Sequence, residues 1–175
     1  MARKPGQTKS LVYWEHHLAG FEGQTTFSEQ RKTRSKPAIS RKNCCLHFQR
    51  RYRSVHTASK AHHTTLSTAL QAVWSVLLSR YQRSRDLIFG TVVSGRPADI
   101  QGVEHMVGLF INVVPKRATF GPQTTFTELV ADLQKQALEA EPHQYVPLYE
   151  IQSHIAAPNL IDHIIVLKLP AARSQ

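Results

Sequence analysis

Two pairs of adjacent histidines are the residues of this sequence whose type and spacing most readily suggest chemistry. They are His16-His17, in the string YWEHHLAGFEG, and His62-His63. An imidazole with an ordinary pKa of about 6.5 accepts a proton near neutral pH, so a histidine beside a reacting amine could act as a general base. Such a base also needs positioned partners, and these decide whether either pair is a candidate.

The residues that follow each pair do not supply the expected partners. In the arrangement HHxxxDG, an aspartate stands four residues after the second histidine and a glycine follows it. After His17 these positions hold Phe21 and Glu22, so the acid-glycine pair comes one residue late. After the second pair they hold a serine and a threonine. We therefore predict no catalytic residue in either pair.

Composition indicates one soluble domain with an ordinary core. The chain has 175 residues, of which 41% are hydrophobic. It contains no apolar run of the roughly 20 residues that span a bilayer, and its basic N-terminus lacks the apolar segment of a secretory signal. We expect a cytoplasmic protein without membrane contact. Cys44 and Cys45 are adjacent, which favours neither a disulfide nor a metal site.

The positive charge of the chain is confined to one segment. Ten of the 22 lysines and arginines lie between residues 31 and 60, where there is no acidic residue. The other twelve are matched by the twelve acidic residues, so the formal charge of +10 comes from this segment alone. It could contact phosphates, but it could equally be a solvated insertion, and no motif for base recognition accompanies it. We expect no specific nucleic-acid binding.

The periodicity of apolar residues predicts an α/β fold. Residues 67–81 carry a helical stripe after the candidate N-caps Thr64, Thr65 and Ser67. The β-rich runs LIFGTVV, 87–93, and LFINVVP, 109–115, predict two buried strands without clean alternation, as expected for a sheet covered on both faces.

Two further helices and a last strand follow. Thr125 and Glu128 form a capping-box pattern before a helical stripe that Pro142 ends. Pro147 is placed to open a short helix. The string LIDHIIVLKL, 160–169, predicts a strand.

Four strings in order carry a more specific signal. They are YW with LAG at 13–20, DLIFGTVVSGRP at 86–97, VGLFINVVPKR at 107–117 and HQYVPLYEIQ at 143–152. Together they resemble the condensation domain of nonribosomal peptide synthetases of the tyrocidine and gramicidin S type. The resemblance implies that residues 1–175 are the C-terminal, chloramphenicol-acetyltransferase-like subdomain, a mixed sheet covered by helices and incomplete as a domain. His16-His17 then falls in the variable middle of the first string, which we expect to be surface.

The resemblance also implies a reaction. Family members form an amide between an upstream aminoacyl or peptidyl thioester and a downstream aminoacyl amine, both carried on phosphopantetheine arms of carrier domains next to adenylation domains. No cofactor is expected to bind this chain directly. Because the sequence has no HHxxxDG, we expect no activity from the chain alone. The alternatives are a noncatalytic module that docks carrier domains and a basic nucleic-acid-binding protein.

By resemblance, three residues are candidates for the substrate tunnel. Asn112 is placed near the reaction centre, where it could hydrogen-bond a substrate carbonyl or the arm, or could instead satisfy backbone groups within a strand. Gly95 and Arg96 fit a turn in which the guanidinium anchors a carboxylate or backbone carbonyls. The residues of the last string that are expected to brace the turn before its proline are His143, Gln144 and Pro147.

Residues 31–59 match nothing in the family pattern, which here typically contains something like KELLFSLSEA. Suitable codons for that string, when read one base later, give KNCCFHFQR. Residues 42–50 of this chain are KNCCLHFQR, which agrees at eight of nine positions. We therefore interpret 31–59 as an aberrant basic segment, translated out of frame, and the residues after Val166 as a second slip.

Overall fold

A computed structural model describes residues 5–21, 64–96, 101–157 and 159–167. The basic segment 31–59, with Cys44 and Cys45, lies outside the described residues, as does His62-His63. None of the helices within these ranges combines the length and the hydropathy that a membrane span requires.

The described residues form helices on a small sheet. The helices are α1 (Pro5–Leu18), α2 (Leu66–Gln82), α3 (Phe126–Ala140) and α4 (Leu148–His154). The strands are β1 (Asp86–Val93), β2 (Asn112–Thr119) and β3 (Ile164–Ile165), and single 3₁₀ turns cover Val103–His105 and Glu141–His143.

The sheet is mixed, with the strand order β2-β1-β3. β1 pairs with β2 in antiparallel register, from Asp86 opposite Thr119 to Val93 opposite Asn112. β3 runs parallel to β1 at Gly90 and Thr91. This arrangement of a mixed sheet with covering helices confirms the predicted α/β class.

Two apolar clusters cover the two faces of the sheet. Ile88 belongs to a cluster with residues of α1 and α4, whereas Leu87 and Phe89 belong to a cluster with residues of α2 and α3. Side chains alternate between the faces of a strand, so three consecutive buried residues require cover on both sides. The lack of alternation in the sequence of β1 therefore reflects a sheet covered on both faces, as predicted.

Helix starts follow the predicted capping residues. The Thr65 hydroxyl accepts a hydrogen bond from the Thr68 amide at 3.1 Å, as an N-cap does. Thr125 and Glu128 form a complete capping box at the start of α3. Pro147 is the N-cap of α4. These three starts lie where local sequence placed them.

Two strand predictions were wrong in their extent. The run 109–115 does not form one strand, because β2 begins only at Asn112 and continues to Thr119. Leu109 is 90% exposed and Ile111 is 67% exposed, so these apolar side chains do not pack in the described core. The run 160–169 contributes only Ile164–Ile165 to the sheet.

The sequence analysis did not predict helix α1, because residues 13–20 were interpreted only as the first family string. Its apolar residues nevertheless recur with helical spacing: Leu11, Trp14 and Leu18 are three and four residues apart, and all three are buried. α1 packs on α4 and on the turn that follows α3. The N-terminal string is therefore part of the core.

Candidate functional site

The turn between α3 and α4, residues 141–147, is the place where three of the four sequence strings meet. We call it the junction turn. Helix α1 carries the first string and contacts it from one side, and the start of β2, within the third string, contacts it from another. Val146, near its C-terminal end, is fully buried. The fourth string, which begins at His143, supplies the turn itself.

Helix α1 contacts the junction turn through polar and aromatic groups. The Trp14 indole Nε1 donates to the carbonyl of His143 at 3.2 Å. The buried Ser10 hydroxyl lies 2.9 Å from His143 Nδ1 and 3.0 Å from the Tyr145 hydroxyl. The Tyr13 ring stacks on the His143 imidazole at a centroid distance of 4.3 Å. His143 is thus held on its ring face, at one ring nitrogen and at its backbone.

Asn112 holds the junction turn from the side of β2. Its Nδ2 donates to the Gln144 carbonyl at 2.8 Å and to the Val146 carbonyl at 2.7 Å. Its Oδ1 accepts from the Val113 amide at 2.9 Å. Because an amide nitrogen has two hydrogens, both donors of Asn112 are used within the chain. A substrate carbonyl would have to displace one of these backbone carbonyls.

Gly95 and Arg96 shape the loop that leads into β2. Gly95 has a φ of +60°, and a β-carbon placed there would lie 2.1 Å from the Phe110 carbonyl oxygen. The Arg96 guanidinium donates to the carbonyl of Val103 and, at 3.2 Å, to that of Met106. It also lies over the Phe110 ring, 4.2 Å from the centroid. Arg96 thus links the end of β1 to Val103, Met106 and Phe110, which precede β2.

The first histidine pair divides between two environments. His16 is exposed, as predicted, but His17 is half-buried, stacked on Tyr13 at 5.8 Å and edge-on to Trp14 at 5.9 Å. Burial and the nearby charges of Lys116 and Arg117 lower the pKa of His17 to about 4. The expectation of a surface pair was wrong for His17, because α1 turns that residue inward.

We expect His17 to make folding sensitive to mild acid. Its folded pKa is lowered, so the unfolded state binds the proton more readily. The contribution of neutral His17 to the free energy of unfolding is complete above the unfolded pKa of about 6.5 and is lost as the pH falls towards about 4. By pH 5 the loss is about 2 kcal/mol. Urea unfolding of the chain and of His17→Gln at pH 7.5 and pH 5 measures it.

The substitution His17→Gln should remove most of this loss of stability between pH 7.5 and pH 5. His16→Gln is the matched control, because it removes an imidazole that is exposed on the same helix. His16→Gln should lose as much stability in acid as the unchanged chain. If His17→Gln also loses as much as the unchanged chain, burial of His17 is not the cause.

Two charged residues of the third string have roles that its pattern did not reveal. Arg117 binds both oxygens of Asp86, at 2.8 and 2.7 Å, and donates to the Ala19 carbonyl at 2.6 Å. It therefore joins β1 to the C-terminal end of α1, and its hydrogen bond lowers the pKa of Asp86. The buried Lys116 donates to the Leu133 carbonyl at 2.6 Å, and burial lowers the pKa of its ammonium to about 8.

The groups at the junction turn are engaged mainly with one another. Burial lowers the pKa of His143, which favours the neutral imidazole over the protonated form. Among the described residues, no group of three or more histidines, cysteines or acids could hold a metal ion. This geometry suits the positioning of three chain segments better than acid-base or metal chemistry.

Comparison with known sequences identifies related proteins. The sequence profile of the family described as "Condensation domain" matches residues 1–174. Surfactin synthase subunit 3 of Bacillus subtilis (strain 168) is 58% identical over 166 residues, which are 94% of this chain and 13% of that protein. Tyrocidine synthase 3 of Brevibacillus parabrevis is 36% identical over 168 residues, which are 94% of this chain and 3% of that protein. The chain thus spans a small part of these relatives.

Solved structures share the fold. The X-domain from teicoplanin biosynthesis superposes with a TM-score of 0.66 at 27% identity, over 87% of this chain and 34% of that one. The first condensation domain of the CDA synthetase has a TM-score of 0.71 at 14% identity, over 92% of this chain and 35% of that one. The chain corresponds to about a third of each solved chain.

Proposed function

Because this chain belongs to the condensation domain family, we propose that it forms the C-terminal part of a domain that joins aminoacyl units in a peptide synthetase. The observation that carries the proposal is the family match over residues 1–174, combined with coverage of only 34% of a solved relative. The junction turn supports it, since it brings three of the family strings together.

The proposed reaction is amide formation between two carrier-bound thioesters. The amine of the downstream aminoacyl unit attacks the upstream thioester carbonyl, the new C–N bond forms, and the phosphopantetheine thiol leaves with the proton lost by the amine. This proton transfer needs a general base, and the sequence contains no HHxxxDG motif. The base would come from the rest of the domain, with carrier and adenylation domains as partners.

The described surface offers a place for the rest of the domain to pack. Residues 106–111 present apolar side chains to solvent: Val107 is 102% exposed, Leu109 90%, Ile111 67% and Met106 45%. A contiguous apolar patch of this kind marks a contact surface. The loop that carries these residues is held by Arg96 and leads directly into Asn112. We propose that this loop lies against the other part of the domain.

A chimaera tests the proposed function. Residues 5–21 and 64–167 of this chain would replace the matching stretches of surfactin synthase subunit 3, which keeps its own sequence elsewhere. With loaded carrier domains, the proposal predicts that the chimaera forms the amide product. Changing the second histidine of the HHxxxDG motif in the chimaera to alanine is the control, because it should abolish the product. A folded chimaera that makes no amide would contradict the proposal.

A further inference from the structure

Three arginines at the end of helix α2 are exposed to solvent. We call them the arginine cluster: Arg80 in the last turn of α2, and Arg83 and Arg85 in the turn before β1. The acid nearest to them in sequence is Asp86, but Arg117 binds both of its carboxylate oxygens and the Thr119 hydroxyl donates to one of them. In the part of the chain that the structure describes, no acid forms an ion pair with the arginine cluster.

The turn that carries the arginine cluster has a fixed backbone. Arg83 ends α2 in the left-handed conformation, with a φ of 53°. The Ser84 hydroxyl donates to the Asp86 carbonyl at 2.9 Å and accepts from the Asp86 amide at 3.3 Å. The Phe120 amide donates to the Arg85 carbonyl at 3.0 Å. Because these bonds hold the turn in place, little backbone freedom is left to lose when a partner binds.

An apolar strip on α2 leads directly to the arginine cluster. The apolar strip consists of Val73, which is 53% exposed, and Leu77, which is 43% exposed. Val73, Leu77 and Arg80 are four and three residues apart, so they follow one another along one side of the helix. The opposite side of α2 faces the core, where Ser75 and Leu78 are fully buried. Apolar side chains beside arginines are typical of protein–protein contact surfaces.

Charge and spacing select the partner of this surface. Arginines bind carboxylates through paired hydrogen bonds. The apolar side chains of a second helix repeat every three or four residues, which fits the spacing of the apolar strip. The basic segment 31–60 of this chain has the wrong sign for the arginine cluster, because it holds ten basic residues and no acid. Nucleic acid phosphates would match the arginines but would bury no apolar surface on Val73 and Leu77.

We infer that the apolar strip and the arginine cluster dock a helix of a neighbouring synthetase domain, with apolar side chains against the strip and carboxylates against the arginines. The inference rests on the proposed function, under which this chain is part of a longer protein, as its match to 13% of surfactin synthase subunit 3 indicates. Domains of one polypeptide meet at a high effective concentration, so a small surface suffices for docking. The arginines select the partner by charge, and the apolar strip supplies the buried area.

Carbodiimide cross-linking tests the inference in the chimaera with surfactin synthase subunit 3. Arg83→Lys and Arg85→Lys keep the positive charges, and the introduced amines, unlike guanidinium groups, form amide bonds with activated carboxylates that they contact. Peptide mass spectrometry should then find these amines joined to acidic residues of a helix in a domain next to the condensation domain. Lys135 and Glu139, whose charged groups are 3.9 Å apart, provide an internal positive control for the reaction.

Adding Val73→Asp to the same variant tests the apolar strip. A carboxylate at this position would be buried against apolar side chains of the docked helix, so the yield of the interdomain cross-link should fall by about fivefold or more. Val12→Asp is the matched control, because Val12 is a similarly exposed valine on helix α1, at 47%. It should leave the cross-link yield unchanged.

Three results would each overturn the inference. The first is the absence of interdomain cross-links from the introduced amines while Lys135 and Glu139 react. The second is a yield that Val73→Asp leaves unchanged, since charge alone would then explain the contact. The third is a yield that falls when a DNA duplex is added, which would assign the arginines to nucleic acid. Amide formation is measured separately, so a chimaera that forms the product without the cross-link refutes the docking and leaves the proposed function standing.

Discussion

Replacing Gly95 with alanine is expected to lower the free energy of unfolding by about 3 kcal/mol or more. The added β-carbon would lie 2.1 Å from the Phe110 carbonyl oxygen, and a backbone atom cannot move aside as a flexible side chain does. The φ of +60° adds the cost of a left-handed conformation. Urea unfolding, followed by circular dichroism, measures the change.

Gly102→Ala is the matched control for this prediction. Gly102 also has a positive φ, +76°, but a β-carbon there would meet no atom within 4 Å. Its substitution should cost only about 1 kcal/mol, from the left-handed backbone alone. If the two alanine variants lose equal stability, the contact between Gly95 and the Phe110 carbonyl does not hold the loop as described.

The substitution Asn112→Asp is expected to cost about 3 kcal/mol near neutral pH. An aspartate carboxylate has no hydrogen to donate, so the Gln144 and Val146 carbonyls would lose their partner and face a negative charge. Asn112→Ala should cost less, about 2 kcal/mol, because it removes the donors without adding the charge. The same unfolding measurement applies to both variants.

The control for Asn112 is Asn159→Asp, which makes the same chemical change at an exposed position. It should change stability by less than about 0.5 kcal/mol. Recovery of the Asn112→Asp variant at low pH, where its carboxyl is protonated and can donate one hydrogen bond, would support the explanation. A loss at Asn112 no larger than at Asn159 would contradict it.

Local signals in the sequence predicted much of the fold. Thr65, Thr125 and Pro147 start helices where their capping chemistry placed them, because each cap depends on neighbours within a few residues. The run LIFGTVV became β1, buried on both faces, since continuous apolar character is what such a strand needs. Three of the family strings also contain residues that meet at the junction turn, among them Trp14, Asn112 and His143.

These local signals did not predict contacts between residues that are far apart in the sequence. Trp14 and His143 are 129 residues apart, and nothing in either string shows that the indole donates to that carbonyl. Ser10 and Tyr145 lie in positions to which the strings gave no weight. The apolar residues Leu109 and Ile111 were taken for a buried strand, because hydrophobicity alone does not distinguish a core from a contact surface.

The central claim is that the junction turn positions chain segments and does not perform acid-base chemistry. Single-turnover amide formation by the chimaera, with and without His143→Gln, tests it most directly. Removal of a general base typically costs 10²–10⁴-fold in rate, whereas a positioning role predicts a fall of less than about tenfold and an unchanged pH profile. A fall of 10²-fold or more in a folded variant, together with loss of the pH dependence near neutrality, would contradict the account.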